Sequence, residues 1–600
     1  NIDLVIADRN IQKEDTAYTV PYRKHFISDV NIFTDYTYSN QDKPITDSAS
    51  YEGYTLYSFE DLEYKPKAIA DAVFIKKGEV YSDRARSLTY RRMNELGIFK
   101  YPDIQYMPDP RDSTGTKLIT NIFLTPKPKF GVDFNSDVSR SNIQDFGIGF
   151  GGSLLIRNVF GGAETFEIGG RGSIGSSKDA SDSEDRFFNI SEIGADVSLS
   201  FPKIAFPINT DRIIPKSMSP FTTFSVGVSS QENIGLDKQN VTGKLNYRWY
   251  PNNELTHKLD LLDLQYVRNL NTGNYFNVYR NSYNRLNDIA QTNSDQVDAS
   301  YFEEDNNISD DNAPDLIVPE GTRGFINDFN NNTYNLTRQE NQITRNIIER
   351  RDRLTQDNLI LASNFNYIKN TRENIYDEEF TQFRFKIEAA GNTLSLVAPL
   401  LNLDKNNNDN YEVFGVEFSQ YGKLETDFIK HWDFGQKNIL AIRALGGIAI
   451  PYGNSNSIPF ARSFFAGGAN DNRGWQAYDL GPGSSGSLNE FNEANMKVTL
   501  NAEYRFNLFG SLNSAIFIDA GNIWNVLDNV EDERSKFSSF KDFKELAVSS
   551  GLGLRYDLSF FVIRFDVGFK TYNPAYNKQE WFKQYNFANA VYNVGINYPF

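Results

Sequence analysis

The spacing of apolar and polar residues changes near Pro128 and divides the chain into two parts. Before that point, short segments with strand-like spacing are followed by segments whose apolar residues recur at one-turn helical intervals. Pro66 suits the first turn of one helix, and Ser82 is a good N-cap for a second helix that ends at Gly97. This part therefore predicts a small α+β domain in the order strand, helix, helix, strand, strand, with a further short strand-like piece at Tyr54–Phe59.

After Pro128 the chain shows a period of two in segment after segment. In Val498–Phe506, large apolar side chains alternate with Thr, Asn, Glu and Arg, and Leu245–Trp249, Phe383–Ile387 and Ile563–Phe569 repeat the alternation. One apolar and one polar face is the pattern of a β-strand, and soluble antiparallel sheets show it too. Its repetition to the end of the chain, with aromatics on the apolar face, predicts a transmembrane antiparallel β barrel of about 16 strands.

The longest polar insert between these strands lies near 281–357. It contains Asp295–Glu320, a segment with nine acids and no Lys or Arg, and its apolar spacing predicts a short helix over Arg338–Leu354. The long loops of outer-membrane barrels face outward, so the insert is predicted to be an extracellular cap. A calcium site among its carboxylates is the alternative to a solvated acidic loop.

Composition narrows the chemistry further. The chain has 600 residues, a formal net charge of −17 and no cysteine, which excludes disulfides, thiol catalysis and cysteine metal sites from this sequence. The acidic balance disfavours nucleic acid as a partner. The three histidines, His25, His257 and His431, are scattered, and no Ser-His-Asp, metal-binding or phosphate-loop motif is present. The sequence therefore predicts neither an enzyme nor a cofactor.

The chain ends on an alternating apolar segment that resembles the C-terminal signal of bacterial outer-membrane proteins. Pro599 cannot donate a ladder hydrogen bond and Gly595 packs poorly, so this last strand is predicted to pair weakly with the first barrel strand, near Phe130–Val138. A weak seam between the two is the resulting hypothesis. The side chains expected to share one face of the last strand are Tyr592, Val594, Ile596, Tyr598 and Phe600.

One stretch, Phe464–Gln476, places a single arginine among glycines and aromatics. A guanidinium enclosed by a barrel needs acceptors, because an unpaired buried charge is very costly. Two acids on the polar faces of later strands are available: Glu503, and Asp519, which shares a face with Phe517. The candidate residues of the loop itself are Gly467, Gly468, Arg473, Gly474 and Trp475.

These motifs resemble those of the outer-membrane assembly superfamily that contains BamA and TamA. The Arg473 tip resembles its signature loop, although Asn472 stands where the superfamily usually has an apolar residue. "FIDAGNIW" (517–524) resembles its matching strand, and "NVFGGAETFEI" (158–168) its early barrel strands. The resemblance implies that Glu503 and Asp519 hold the arginine in a clamp of the bidentate kind that guanidinium favours. The alternative is that each is an ordinary lumen-facing charge solvated by water.

The α+β pattern, with the turn "FIKKGEVYS" (74–82) before the second helix, resembles a POTRA module, the periplasmic repeat of this superfamily. The alternative is any other small α+β domain. The opening segment Asn1–Ile6 reads as a strand rather than a signal peptide, so the sequence is expected to begin within a longer protein. The predicted divisions are 1–24, the end of a preceding POTRA module and a linker; 25–127, a POTRA domain; and 128–600, the barrel.

The resemblance implies a factor in the outer membrane of a Gram-negative bacterium, with POTRA in the periplasm, that inserts or exports client proteins through a weakly paired barrel seam. The ending and the isolated long insert are more similar to TamA and its lipoprotein counterpart TamL than to BamA. The implied partners are outer-membrane lipid, client outer-membrane proteins, and either a TamB-like periplasmic protein or accessory lipoproteins.

Three alternatives stay open at this point. Two lie within the superfamily: a BamA-type core insertase and a two-partner secretion transporter. The third is a passive porin or ligand receptor, in which Arg473 would be a selectivity residue. Upstream POTRA modules would count against a porin, whereas large steady conductance would favour it.

Overall fold

Two sheets make up most of the structure, a computed structural model: a five-stranded sheet early in the chain and a closed barrel after it. A separate hairpin of β1 (Arg9–Lys13) and β2 (Thr16–Val20) precedes them. The structure describes residues 9–13, 16–20, 23–139, 146–176, 190–233, 237–303, 314–374, 377–406, 409–486, 492–530, 532–558, 561–576, 580–596 and 598–600.

The first sheet and two helices share one apolar core. The elements are β3 (Phe26–Phe33), β4 (Asp47–Tyr51), β5 (Tyr54–Ser58), α1 (Pro66–Ala70), α2 (Asp83–Glu95), β6 (Phe99–Pro108) and β7 (Lys117–Pro126). The sheet order is β4-β5-β3-β7-β6, with β3 parallel to both neighbours. Ser82 caps α2 by accepting a hydrogen bond from the Ala85 amide, as predicted. Strand β4 was not predicted, because its Asp-Ser-Ala-Ser-Tyr sequence has no apolar alternation.

From β8 onward the chain forms antiparallel strands. They are β8 (Phe130–Ser139), β9 (Phe146–Arg157), β10 (Thr165–Ser176), β11 (Ile190–Phe201), β12 (Phe221–Asn233), β13 (Lys238–Asn252), β14 (Leu255–Asn269), β15 (Asn358–Asn370), β16 (Thr381–Ala390), β17 (Glu412–Val413), β18 (Val416–Glu417), β19 (Tyr421–Asp433), β20 (Ile439–Pro451), β21 (Met496–Phe509), β22 (Leu512–Trp524), β23 (Ala547–Asp557), β24 (Val562–Tyr572), β25 (Trp581–Gln584) and β26 (Val591–Ile596). Strands β17 and β18 pair only with each other, and the others close the barrel. Because β25 and β26 both pair with β24, they share one position, and the described residues form sixteen strand positions, as predicted.

Alternate side chains point to opposite sides of the barrel wall. In β22, Ile516 and Ile518 are 53% and 51% exposed, whereas Phe517 and Asp519 are 2% and 0% exposed. The outward set is apolar and the inward set carries the charges. This is the arrangement of a barrel in lipid around a polar interior, and it confirms the predicted fold class.

The insert between β14 and β15, residues 270–357, folds around an apolar core of its own and forms a helical cap. Its helices are α3 (Tyr275–Val278), α4 (Arg280–Thr292), α5 (Glu320–Asn330) and α6 (Arg338–Thr355), and α7 (Asn392–Val397) lies in a later loop. Helix α6 was predicted, but α3 to α5 were not. The insert also begins earlier than near 281, because Tyr275 and Phe276 are buried in the cap core. None of the helices in the described ranges is both long and apolar enough to cross a membrane.

The acidic block of the cap is described only in part. Residues 304–313 lie outside the described residues. Within the described ranges, no group of three or more His, Asp or Glu residues is placed to hold a metal ion. The calcium alternative therefore stays a prediction.

The α+β domain contacts the rim of the barrel opposite the cap, here called the domain-side rim. Arg92 of α2 is 3% exposed and donates hydrogen bonds to the backbone carbonyls of Pro202 and Pro220. Its guanidinium also lies 4.8 Å from the ring centroid of Phe221. Burial lowers the pKa of Arg92 to about 10, so the side chain stays charged at neutral pH. Arg92 is thus a buried contact between this domain and the barrel.

Candidate functional site

The site is built on the lumen loop, residues 452–495, which connects β20 to β21 and turns back into the barrel. Residues 487–491 of it lie outside the described residues. Gly467 and Gly468 have φ angles of 94° and 104°, which favour glycine. A Cβ on Gly467 would lie 2.0 Å from the Gln476 carbonyl oxygen, and the Gly468 amide donates to the Trp475 carbonyl at 2.8 Å. The two glycines thus let the chain fold back tightly around the tip.

Arg473, at that tip, is 0% exposed and is held by the wall of the barrel. Its Nε and Nη2 donate to the two carboxylate oxygens of Asp519 at 2.9 Å each, and its Nη1 donates to Glu503. The guanidinium lies 3.5 Å from the ring centroid of Phe517. The structure therefore brings together the four residues that the sequence suggested. Full burial of the arginine and both acids does not fit the alternative of separate charges solvated by water.

Three more arginines join the group formed by Arg473, Glu503 and Asp519. The sequence analysis did not identify them. Arg505 and Arg555 donate to Glu503 at 2.7 and 3.0 Å. Arg555 and Arg564 donate to Asp566 at 2.6 and 3.2 Å. Sharing Glu503 and Asp566 between arginines offsets part of the cost of burying so many charges. We call this set the arginine cluster: Arg473, Glu503, Arg505, Asp519, Arg555, Arg564 and Asp566.

A signal for the added members was present in the sequence. Arg564 and Asp566 occupy the polar face of the predicted strand Ile563–Phe569. What the pattern could not supply is the register that places strands β21 to β24 side by side. In that register, charges far apart in sequence become neighbours.

The surroundings of Asn472 explain why a polar residue can stand before Arg473, where the superfamily usually has an apolar one. Asn472 is 0% exposed, and its side-chain amide donates to the Ala547 carbonyl at 3.1 Å. Next to it, Asp471 accepts hydrogen bonds from Lys497 at 3.1 Å and from Thr499 at 2.8 Å. A polar residue is therefore satisfied at this buried position.

The tip also approaches the wall closely enough to require glycine. A Cβ on Gly568 of β24 would lie 2.2 Å from the Arg473 carbonyl oxygen, and one on Gly474 would lie 2.5 Å from Cβ of Ser549. Trp475 is 3% exposed and packs in a small core with Ala466 and other loop residues. Close backbone approach, charge pairing and apolar packing thus all fix the same tip.

A second arginine anchors the lumen loop elsewhere, and the sequence did not suggest it. Arg462 lies 3.4 Å from Asp263 of β14 and 3.9 Å from Glu388 of β16. Glu388 is buried and also accepts from the Tyr421 hydroxyl at 2.7 Å and pairs with Lys386 at 2.8 Å. Counted from β8, β14 and β16 are the seventh and ninth positions, whereas β21 to β24 are the twelfth to fifteenth. The lumen loop therefore connects two separate parts of the wall.

The C-terminal residues differ from the prediction. Tyr592, Val594 and Ile596 point outward and are more than half exposed, as expected. Tyr598 and Phe600 do not continue that face, and this part of the prediction was wrong. The Arg505 guanidinium lies 4.1 Å from the Tyr598 ring centroid, and its Nη2 donates to the Phe600 carbonyl at 3.2 Å. Because Arg505 faces the lumen, its attraction for an aromatic face and a carbonyl draws the chain end inward.

Among the described residues, the seam between β26 and β8 is the junction of the barrel with the least strand pairing. The six residues of β26 pair with β24, and β8 pairs along its whole length with β9. In the described part of the chain, no extended ladder joins β26 to β8, although the two strands are hydrogen-bonded neighbours in the closed order. On β8, Phe134 is 85% exposed and Val138 is 73% exposed. Asn593 of β26 donates to the Arg473 carbonyl at 3.0 Å, so the lumen loop contacts the seam strand.

Comparison with solved structures gives three similar barrels. BamA from Haemophilus ducreyi lacking POTRA domains 1–3 is 11% identical over 98% of this chain and 88% of that chain, with a TM-score of 0.52. CdiB from Acinetobacter baumannii is 11% identical over 92% and 72%, with a TM-score of 0.41. CdiB from Escherichia coli is 11% identical over 93% and 88%, with a TM-score of 0.37. At this identity the likeness to BamA shows the fold alone, and the two CdiB structures, with their lower TM-scores, add nothing to it.

Comparison with protein families is more direct. No curated protein matches the chain. The model of the Omp85 superfamily domain matches residues 150–588, which include the lumen loop, the arginine cluster and most of the barrel. The chain therefore belongs to the Omp85 superfamily, whose barrels lie in Gram-negative outer membranes and serve the insertion or secretion of client proteins.

Proposed function

We propose that this protein inserts client proteins into the outer membrane by pairing an incoming client strand at the seam between β8 and β26. The observation that carries the proposal is the poor pairing of that seam. Strand β26 is short, and its continuation turns inward to Arg505 instead of extending along β8. A poorly paired strand edge leaves backbone groups that can template another strand. No covalent chemistry is required for this step, so we propose no enzymatic activity.

The lumen loop would keep the rest of the barrel rigid while the seam opens. Arg473 ties the tip to β21 and β22, and Arg462 ties the start of the loop to β14 and β16. Opening then costs only the few contacts at the seam. Asn593 of β26 also donates a hydrogen bond to the Arg473 carbonyl, so a movement of the last strand would break a contact of the lumen loop.

The cap and the lumen loop together favour a seam route over a route through the lumen. Phe460 of the loop packs against the cap core, and Arg353 of α6 forms an ion pair with Glu493 near the end of the loop. A folded cap joined to a braced loop obstructs the cap-side rim. This supports an insertase over a passive porin or a two-partner secretion transporter, both of which need an open lumen.

Within the superfamily we propose a TamA/TamL-like role, with the α+β domain as a POTRA module in the periplasm and the cap outside the cell. The isolated long insert, which resembles that of TamA and TamL, supports it. The proposed partners are outer-membrane lipid, client outer-membrane proteins and a TamB-like periplasmic protein. Purification of the intact protein from membranes tests this choice, because a BamA-type insertase would instead retain accessory lipoproteins.

A disulfide across the seam tests the insertion mechanism. Val132→Cys with Ile596→Cys places two outward-facing positions on either side of the seam, and this sequence has no other cysteine to interfere. We expect oxidation to block client assembly in cells and reductant to restore it.

The matched control is Val132→Cys with Leu154→Cys, because these two residues are direct partners in the β8–β9 ladder. This lock should leave assembly unchanged. Normal assembly with the seam bond formed, measured on the same cells by gel mobility, would show that clients do not use this seam.

A further inference from the structure

A segment far from the seam has an exposed apolar surface that the proposed function does not use. It is the loop between β16 and β19, residues 391–420, which contains α7, β17 and β18; residues 407–408 of it lie outside the described residues. We call it the apron. Counted from β8, the neighbouring strand β15 is the eighth of sixteen positions, so the apron lies on the side of the barrel opposite the seam.

The apron covers the outer face of the wall rather than the lumen. Ile360 of β15 packs with Tyr421 and Ile458 on the lumen side. Its neighbour Leu359 therefore points outward, and it forms a separate cluster with Val416 and Phe418 of the apron. Side chains of β14 lead to the same conclusion.

In β14, Asp263 and Gln265 face Arg462 in the lumen, at 3.4 and 3.5 Å. Leu264 and Tyr266 alternate with them and so point outward, where they pack against the apron cluster. The apron is thus attached to the same face of the wall that contacts lipid.

Hydrogen bonds from the lumen loop hold the apron in place. The Asn454 side-chain amide is buried and donates to the carbonyls of Tyr411 and Phe418 at 3.0 Å each. Its oxygen accepts from the Tyr411 amide at 2.6 Å. The Ser419 amide also donates to the Leu359 carbonyl at 2.8 Å, which extends the sheet at this edge. The apron is therefore fixed to the barrel wall by hydrogen bonds.

Four large apolar side chains project from this fixed scaffold. Leu396, Leu400 and Leu401 are 75%, 79% and 65% exposed, and Phe414 is 95% exposed. Phe414 lies at the tip of the β17–β18 hairpin with a φ of 55°, a conformation that a bulky side chain rarely adopts. Exposed apolar side chains grouped on an ordered scaffold mark an interaction surface.

We infer that the apron is a membrane-contact surface that inserts these side chains into the lipid interface at the cap-side rim. We choose lipid as the binding partner because the apron lies on the lipid-facing side of β14 and β15. Its exposed side chains extend the apolar outer surface of the barrel. Interfacial segments bind in this way, with apolar side chains at the boundary between headgroups and acyl chains. The result is a second membrane anchor on the wall farthest from the seam.

Single-cysteine labelling tests the inference, since this sequence has no cysteine. Phe414→Cys and Leu400→Cys, each in the full chain, are labelled with an environment-sensitive fluorophore and reconstituted in phosphatidylcholine vesicles that contain nitroxide-labelled phosphatidylcholine. We expect strong quenching at both positions. The lipid-facing positive control is Ile516→Cys in the barrel wall, and the exposed control in the cap is Thr333→Cys.

Quenching at positions 414 and 400 that matches Ile516→Cys supports the inference. Quenching as weak as that of Thr333→Cys at both positions overturns it, as does energy transfer between labelled copies without quenching by lipid, which would make a second copy the occupant. Gel mobility of unheated samples confirms that each variant is a folded barrel.

Discussion

The wall beneath the lumen loop and the seam of the same barrel are built from similar strands but are held together very differently. Strands β21 to β24 are joined by long ladders, and their lumen side carries the arginine cluster. At the seam, β26 and β8 are hydrogen-bonded neighbours but share no extended ladder in the described residues, and the chain end turns away into the lumen. Strong contacts and weak contacts are thus segregated within one closed sheet.

The comparison teaches that a barrel can open at one place only if the rest is fixed. A uniform ladder has no preferred point of rupture, whereas a desolvated charge cluster makes β21 to β24, the wall next to the proposed opening, costly to disturb. Asn593 is the direct contact between the two regions, through the Arg473 carbonyl. Substitutions on either side of that contact test whether the strong contacts of β21 to β24 are independent of the weak contacts at the seam.

The largest effect is expected at Arg473. Arg473→Ala leaves Glu503 and Asp519 without their central partner, and removing one member of a buried pair costs about 3–5 kcal/mol. We expect loss of client assembly in cells while unheated gel mobility still shows a folded barrel. Arg473→Lys keeps the positive charge but loses the planar guanidinium that donates to both acids, so this variant should retain partial activity. Full activity of the alanine variant would mean that the wall does not depend on the clamp.

A steric change at Gly568 should reproduce much of that loss without altering any charge. In Gly568→Ala the new Cβ would meet the Arg473 carbonyl oxygen at 2.2 Å, and such overpacking costs about 1–3 kcal/mol. Hydrogen exchange of the loop tip should rise, and assembly should fall. Gly446→Ala is the control, because its Cβ would have its nearest neighbour at 3.6 Å. Equal behaviour of the two variants would argue against close docking of the tip.

A smaller effect is expected at the second anchor. The pairs of Arg462, at 3.4 and 3.9 Å, are longer than those of Arg473, so its loss is expected to cost about 1.5 kcal/mol, the lower end for a hydrogen bond to a charged group. Arg462→Ala should increase single-channel conductance and its fluctuations, because the start of the lumen loop is freed, while client assembly persists. Arg384→Ala, which removes an ion pair with Asp427 on the wall, should leave conductance unchanged. An unaltered conductance in Arg462→Ala would show that this contact does not brace the loop.

The smallest effect is expected at the contact between the two regions. Asn593→Ala removes one hydrogen bond, worth about 0.5–1.5 kcal/mol. Hydrogen exchange should become faster in β26 and stay unchanged in β21 to β24. Tyr592→Phe, which removes only the outward hydroxyl of the neighbouring residue, serves as the control. Faster exchange spread evenly over all these strands would contradict the segregation of strong and weak contacts.

Much of this architecture was accessible from the sequence. Period-two alternation predicted a barrel of about 16 strands, and capping signals predicted helix α2. Arg473, Glu503, Asp519 and Phe517 were selected as a group, because a lone enclosed arginine requires acceptors and a family resemblance indicated which acids. The cap helices α3 to α5 were missed, although in α4 the residues Tyr283, Leu286 and Ile289, which lie in the cap core, recur at helical spacing.

The sequence by itself determined which side chains face lipid and which face the lumen, because that choice depends only on local alternation along each strand. It also determined the need for a partner of Arg473. Tertiary structure alone decided that Arg505, Arg555, Arg564 and Asp566 join the same cluster. It also decided that Tyr598 and Phe600 turn inward. These outcomes depend on the register between strands and on the loop that fills the lumen, and contacts between residues far apart in sequence leave no periodic trace in the chain.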